Sequence, residues 1–284
     1  MTRGLMGGLL LAIGMAQACG AALAQTGDVA RGKYLVTIGI CESCHTPRDA
    51  KGQRLADARF GGGNIVGGLM APNLTPDAET GLGKYSEADI VGALRGTRPD
   101  GSKVRPPMGV FFYRGFSDHD AFSIAAYLKS VPAVNHKAER TPPKGPAPTW
   151  EPIEHVAEPD HANHLAYGKY LAQTVTHCFQ CHTPRGANGL PDLARAGLGG
   201  NTYGAPGGGT VVSANITPGN PDGIAGWTDA QLKTALTTGV RPNGSQIVPV
   251  MDFDLYEQMT SGDLDDLVAF VRTLKPLKTE EGAK

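Results

Sequence analysis

Apolar side chains in two separated stretches fall on one helical face. Ala121, Ile124, Ala125 and Leu128 follow the i, i+3, i+4, i+7 spacing of an amphipathic helix, and Leu264, Leu267, Val268 and Val271 repeat it. Each run opens on a hydroxyl residue with an aspartate three places on, Ser117 with Asp120 and Thr260 with Asp263, which is the pattern of a helix N-cap. Two capping boxes, Ser86-Glu87-Ala88-Asp89 and Thr228-Asp229-Ala230-Gln231, start helices that bury Ile90 and Leu94, or Leu232 and Leu236. Nearer the start of each series, Asp28 to Gly39 and Asn163 to Thr176 also read as helices.

The same helices therefore occur twice in the same order, and the connecting segments repeat with them. Gly32-Lys33-Tyr34-Leu35 returns as Gly168-Lys169-Tyr170-Leu171, and Asn73-Leu74-Thr75-Pro76 as Asn215-Ile216-Thr217-Pro218. Arg98-Pro99-Asp100-Gly101-Ser102 returns as Arg241-Pro242-Asn243-Gly244-Ser245. Between the copies, residues 133–160 hold Pro142, Pro143, Pro146, Pro148, Pro152 and Pro159 with no helical period, so a semi-extended connector is expected there. The predicted organisation is all-α, with a first domain at 25–132, a Pro-rich linker at 133–160 and a second domain at 161–284. Residues 1–24 read as an export signal: Arg3, an apolar stretch from Leu9 to Ala18, and Ala-Leu-Ala before a cleavage point near Ala24/Gln25. The apolar run is short of the roughly 20 residues that a membrane span requires. A periplasmic location follows from that reading.

Charge narrows the partners. Charged residues make up 19% and the formal net charge is −1, so the chain lacks the basic field that nucleic-acid binding needs. Aromatic residues are few at 6%, while 39 glycines and 21 prolines point to short helices joined by long ordered loops. Such loops need something rigid to pack against.

The chemistry lies in ICESCHTPRD at 40–49 and CFQCHTPRGA at 178–187, two copies of Cys-x-x-Cys-His. Removal of the export signal takes Cys19 with it and leaves Cys41, Cys44, Cys178 and Cys181. A four-thiolate zinc site has its ligand pairs roughly 15 to 20 residues apart. Here most of a domain separates them, and both histidines would be idle. A thioredoxin-like disulfide explains neither the repeated histidine nor the missing βαβ pattern. Covalent haem attachment uses every residue: Cys41 and Cys44, then Cys178 and Cys181, bond the porphyrin, and His45 and His182 supply the proximal nitrogen to iron. Two covalently bound haems c are expected. For the distal position, Met108 and Met251 each lie seven residues after the glycine of the repeated Arg-Pro-Asp/Asn-Gly segment, behind stiffening prolines, whereas Met70 and Met259 have no counterparts. His119, His136, His155, His161, His164 and His177 do not recur and are expected at the surface. Arg48 and Arg185 follow the two motifs at one offset, either as partners of haem propionates or as solvated arginines. Gly61-Gly62-Gly63 and Gly207-Gly208-Gly209 lack the context of a phosphate loop and read as loops passing close to a flat macrocycle.

With these segments in hand, the chain resembles the dihaem c-type cytochromes, built from two tandem class I cytochrome c-like domains. More narrowly it resembles the cytochrome subunits of periplasmic alcohol, aldehyde and gluconate dehydrogenases, through GKYLVTIGICESCHTPRD, PNLTPDAETGLGKYSEADIVGALRGTRPDG, SANITPGNPDGIAGWTDAQL and VRPNGS. The resemblance implies an electron carrier without catalysis of its own. It takes electrons from a dehydrogenase and passes them to a cytochrome or terminal oxidase of the respiratory chain. It also implies Met108 and Met251 as distal ligands. Those subunits usually have three haem domains and a membrane-binding tail, whereas this chain has two and ends in the polar LKTEEGAK, so any membrane association is expected to run through a complex. The alternative is a dihaem enzyme of the peroxidase or thiosulfate dehydrogenase type, which needs an open or labile iron. Asp252 and Asp254, beside Met251, favour the oxidised iron and predict a lower potential for the second haem.

Overall fold

The computed structural model describes residues 1, 27–142, 145–205, 208–219, 221 and 223–279, so residues 2–24 of the expected export signal and its cleavage point lie outside the described residues. Among these residues helices dominate and strands are few and short. The first repeat contains α1 (Val29–Ile38), α2 (Cys41–His45), α3 (Glu87–Leu94), α4 (Val110–Tyr113) and α5 (Asp118–Ser130). The second contains α6 (His164–Tyr170), α7 (Asp229–Thr238), α8 (Phe253–Tyr256) and α9 (Ser261–Arg272). Two antiparallel hairpins qualify the all-α expectation. β1 (Ile65–Val66) pairs with β2 (Leu69–Met70), and β3 (Thr202–Gly204) pairs with β4 (Thr210–Val212) with Tyr203 opposite Val211.

The expected caps are present. Asp28 accepts from the N–H groups of Ala30 and Arg31 at the start of α1, and Asn163 caps α6. Ser86 and Thr228 form reciprocal capping boxes with Asp89 and Gln231, and Ser117 and Thr260 accept from the N–H groups of Asp120 and Asp263. Two details differ from the sequence reading. The helix beginning at His164 ends its α turns at Tyr170 and continues over Leu171–Val175 as a π turn, because the N–H and the hydroxyl of Thr176 both donate to the Leu171 carbonyl. On α3 it is Ile90 and Val91 that are fully buried, with Leu94 only partly covered, and on α7 Leu232 and Leu236 are likewise partly covered while Ala235 is buried.

The repeated glycine explains how the helices cross. A Cβ on Gly32 would lie 1.9 Å from the Ser123 carbonyl oxygen on α5, and one on Gly168 would lie 2.0 Å from that of Asp266 on α9. Without a side chain there, α1 packs directly on α5 and α6 on α9. Ala121, Ile124, Ala125 and Leu128 are buried in the first crossing; Leu267, Val268 and Val271 are buried in the second, with Leu264 packed at its edge.

The two repeats then meet through the same residues used reciprocally. Tyr34 on α1 donates to Asp263 of α9 at 2.5 Å and accepts from the Thr260 N–H. Its repeat counterpart Tyr170 donates to Asp120 of α5 at 2.6 Å and accepts from the Ser117 N–H. Each tyrosine thus reaches the capped first turn of the other repeat's last helix. Residues 133–160 contain no helix or strand among the described residues, and they run as a strap against the first repeat. Trp150 is buried there with its indole N–H on the Val104 carbonyl, and Asn73 donates to the Val134 carbonyl.

Candidate haem-binding sites

Each Cys-x-x-Cys-His segment begins at a residue in the left-handed region, Ile40 at φ 49° and His177 at φ 39°. This turn redirects the chain from α1 into α2, and from the π turn into a short 3-10 turn at Cys178–Gln180. All four cysteines are free thiols. Burial pushes the thiols up: Cys41 to about 12, Cys44 and Cys178 to about 11, and Cys181 in the same direction. Thiols raised in this way stay protonated at neutral pH, which does not suit a thiolate metal site. A group of side chains close enough together to hold a metal ion, His119 with Asp120 and Glu158, lies elsewhere among the described residues. Its Asp120 is already held by Arg31 through two hydrogen bonds and by Tyr170.

The two histidines are oriented identically. Nδ1 of His45 meets the Pro72 carbonyl at 2.8 Å, and Nδ1 of His182 meets the Ala214 carbonyl at 2.7 Å. A carbonyl accepts, so Nδ1 carries the proton and Nε2 keeps its lone pair for a metal. Burial lowers both imidazoles below the usual histidine range, which keeps them neutral, the form a metal would need. Pro72 and Ala214 precede Asn73 and Asn215, whose Oδ1 atoms accept from the N–H and the hydroxyl of Thr75 and Thr217. The repeated Asn-Leu/Ile-Thr-Pro segment is therefore the brace that presents the carbonyl to the histidine. The donor set and its orientation fit a haem iron at each histidine.

Sequence reasoning missed a second brace. Nδ2 of Asn64 donates to the Cys44 and Thr46 carbonyls, and Nδ2 of Asn201 donates to those of Cys181 and Thr183. The signal was available, since Gly62-Gly63-Asn64 recurs as Gly199-Gly200-Asn201 at the same distance from the histidine. This recurrence also revises the glycine loops. Gly62 and Gly199 donate N–H to the carbonyls of His45 and His182, whereas Gly208 and Gly209 lie in the turn between β3 and β4. Gly207 lies outside the described residues.

Met108 and Met251 occupy matching places, each directly before a one-turn helix, with their carbonyls accepting from Val110 and Phe253. Both are partly buried against the main core, and Met259 is buried within it. Five residues after each methionine comes a buried tyrosine: Tyr113 donates to the Gly39 carbonyl and Tyr256 to that of Thr176, the equivalent residues before the two motifs. Arg48 is spent locally, on the Gly52 carbonyl and 3.7 Å from Asp252, and Arg185 on the Gly189 carbonyl.

The motifs themselves come together. Cys44 lies near Cys181 and near Asp252, whose negative charge adds to burial in raising the Cys44 thiol. Gln180 donates to the Pro107 carbonyl beside Met108, and Arg54 of the first repeat pairs with Asp252 at 2.6 Å and with Asp254. His177 departs from the surface position expected of it. Its Nε2 lies 3.2 Å from the Tyr113 hydroxyl, and burial lowers it to about 4.

Among proteins of known role, a diheme c-type cytochrome of Cereibacter sphaeroides is 30% identical over 246 residues, which cover 80% of this chain and 79% of that protein. The chain belongs to the dihaem c-type cytochromes. This cytochrome is also 32% identical over 298 residues to the cytochrome c subunit of a quinone alcohol dehydrogenase of Gluconobacter oxydans, covering 95% of this chain. It is 29% identical over 275 residues to the cytochrome subunit of a fructose dehydrogenase of Gluconobacter japonicus. It spans 59% and 54% of the length of those two subunits. No model of a known protein family matches the chain.

Proposed function

We propose that this cytochrome is an exported electron carrier holding two covalently attached haems c, folded as tandem class I cytochrome c-like domains at 25–132 and 161–284 around the linker 133–160. The observation that carries the reading is the pair of histidines, each directly after a partly buried Cys-x-x-Cys and each held through Nδ1 by an equivalent carbonyl. Each haem iron takes up and gives back one electron. The chain's residues do the rest. Cys41, Cys44, Cys178 and Cys181 would form the thioether links, His45 and His182 would ligate through Nε2, and Met108 and Met251 would offer thioether ligands.

The export signal ends near Ala24/Gln25 and delivers the protein to the periplasm. There a dehydrogenase donates electrons and a cytochrome or terminal oxidase accepts them; the relatives named as dehydrogenase subunits support this route. Among the described residues no helix is long and apolar enough to cross a membrane. The test is a haem count. Purified protein should keep two haems per chain through acid-acetone extraction, read by pyridine haemochrome and mass, and its N-terminus should be Gln25. Converting Cys178 and Cys181 to Ala should leave one haem. A single haem in the unmodified protein sinks the reading.

A further inference from the structure

The two attachment motifs are near copies, yet one polar group lies between them without a counterpart. Ile40 occupies the left-handed position before the first motif and His177 the same position before the second. The His177 ring packs on Tyr113 at 4.9 Å between centroids, and Gly109 leaves room for the pair: a Cβ there would lie 3.1 Å from the Tyr113 ring and 3.5 Å from that of His177. The Tyr113 hydroxyl touches both sides, 3.3 Å from the Gly39 carbonyl before Cys41 and 3.2 Å from Nε2 of His177 before Cys178. Cys41, Cys44 and Cys181 all lie near it. By contrast Tyr256 has only the Thr176 carbonyl, at 3.5 Å.

A buried polar atom is costly, and Nδ1 of the half-buried His177, whose repeat partner is isoleucine, is buried with no hydrogen bond of good geometry. The acids that distinguish the second repeat are not free to act alone, because Arg54 and Arg48 neutralise Asp252. Haem potentials respond to hydrogen bonding and polarity around the cofactor. We infer that Tyr113 and His177 form a positioning pair that fixes an oriented dipole between the two haem sites and sets their reduction potentials apart. The inference rests on the haem reading proposed above.

Holo protein tests it by redox titration of each variant, with haem content measured alongside. In Tyr113→Phe and in His177→Phe, which keep an aromatic ring and remove the polar group, the gap between the two midpoint potentials should fall by at least half. His177→Gln, which keeps an N–H donor near the position of Nε2, should retain most of it. The double variant should be no narrower than either single, since both remove one interaction. An unchanged gap in either phenylalanine variant that still carries two haems overturns the inference, as does an additive double variant or a native protein with one potential. One haem per native chain would overturn the haem reading instead.

Discussion

A histidine presents Nε2 to a metal only if Nδ1 is held, and here a backbone carbonyl holds it at 2.7 to 2.8 Å in both repeats. The candidate ligands could be picked out from the motif, because cysteine, cysteine and histidine at that spacing have few other uses. The braces were less so. Asn73 and Asn215 recur visibly, but nothing in a sequence says that the residue before them turns its carbonyl to an imidazole. His177 was misjudged as a surface residue for a physical reason: an isolated histidine is placed by default in water, and only its alignment with Ile40 shows that it takes an interior position. That position has a pH consequence. Burial lowers the folded-state value of His177 to about 4 from an ordinary 6.5, so the unfolded chain binds a proton that the folded chain refuses. Its contribution to stability is present above pH 6.5 and is lost as the pH falls towards 4, by at most about 3 kcal/mol. Urea unfolding midpoints at pH 7.5 and 4.5 should differ less in His177→Phe than in the native protein. Equal acid losses in the two would rule the effect out.

At the level of elements, helix starts were the most legible features, because a capping side chain and its N–H partner are three residues apart and need no tertiary information. Helix ends were not. The π turn at Leu171–Val175 depends on the Thr176 hydroxyl choosing the Leu171 carbonyl, a choice that periodicity does not encode. The crossing of α6 on α9 is similar, for Gly168 reads in sequence as a weak helix residue and in the fold as the contact point. Gly168→Ala would push a methyl to 2.0 Å from the Asp266 carbonyl oxygen, so the helices must part. A loss of about 1–3 kcal/mol is expected, read as a lower urea midpoint. Gly262 in the first turn of α9 is the control, since a Cβ there meets nothing within 4 Å. Gly262→Ala should be neutral or stabilising by no more than about 1 kcal/mol. Equal destabilisation of both variants would mean that helix propensity, not the crossing, governs the site.

Across the whole molecule, contacts between the repeats were the part that sequence hid, because a tyrosine on a helix gives no sign of reaching an aspartate more than two hundred residues away. The charges around the second methionine show what this conceals. From sequence, Asp252 and Asp254 act on the haem of their own repeat and lower its potential. In the fold, Arg54 and Arg48 of the first repeat face Asp252, Arg54 also pairs with Asp254, and Asp252 lies near enough to Cys44 to raise its thiol. Compensated in this way, the acids cannot fix the order of potentials as unpaired charges would. The arginine then becomes the sensitive position. Arg54→Met removes one positive charge and uncovers Asp252 beside the first attachment motif, and both changes favour the oxidised, more positive iron. A net unit charge partly screened at this range is worth on the order of 1 kcal/mol, or about 40 mV for a one-electron couple. Redox titration of Arg54→Met should therefore show the first haem shifted downward, identified by comparison with protein in which Cys178 and Cys181 are alanine. Adding Asp252→Asn should return the potential most of the way, because it removes the exposed charge. A shift confined to the second haem would mean that the acids act on their own repeat after all.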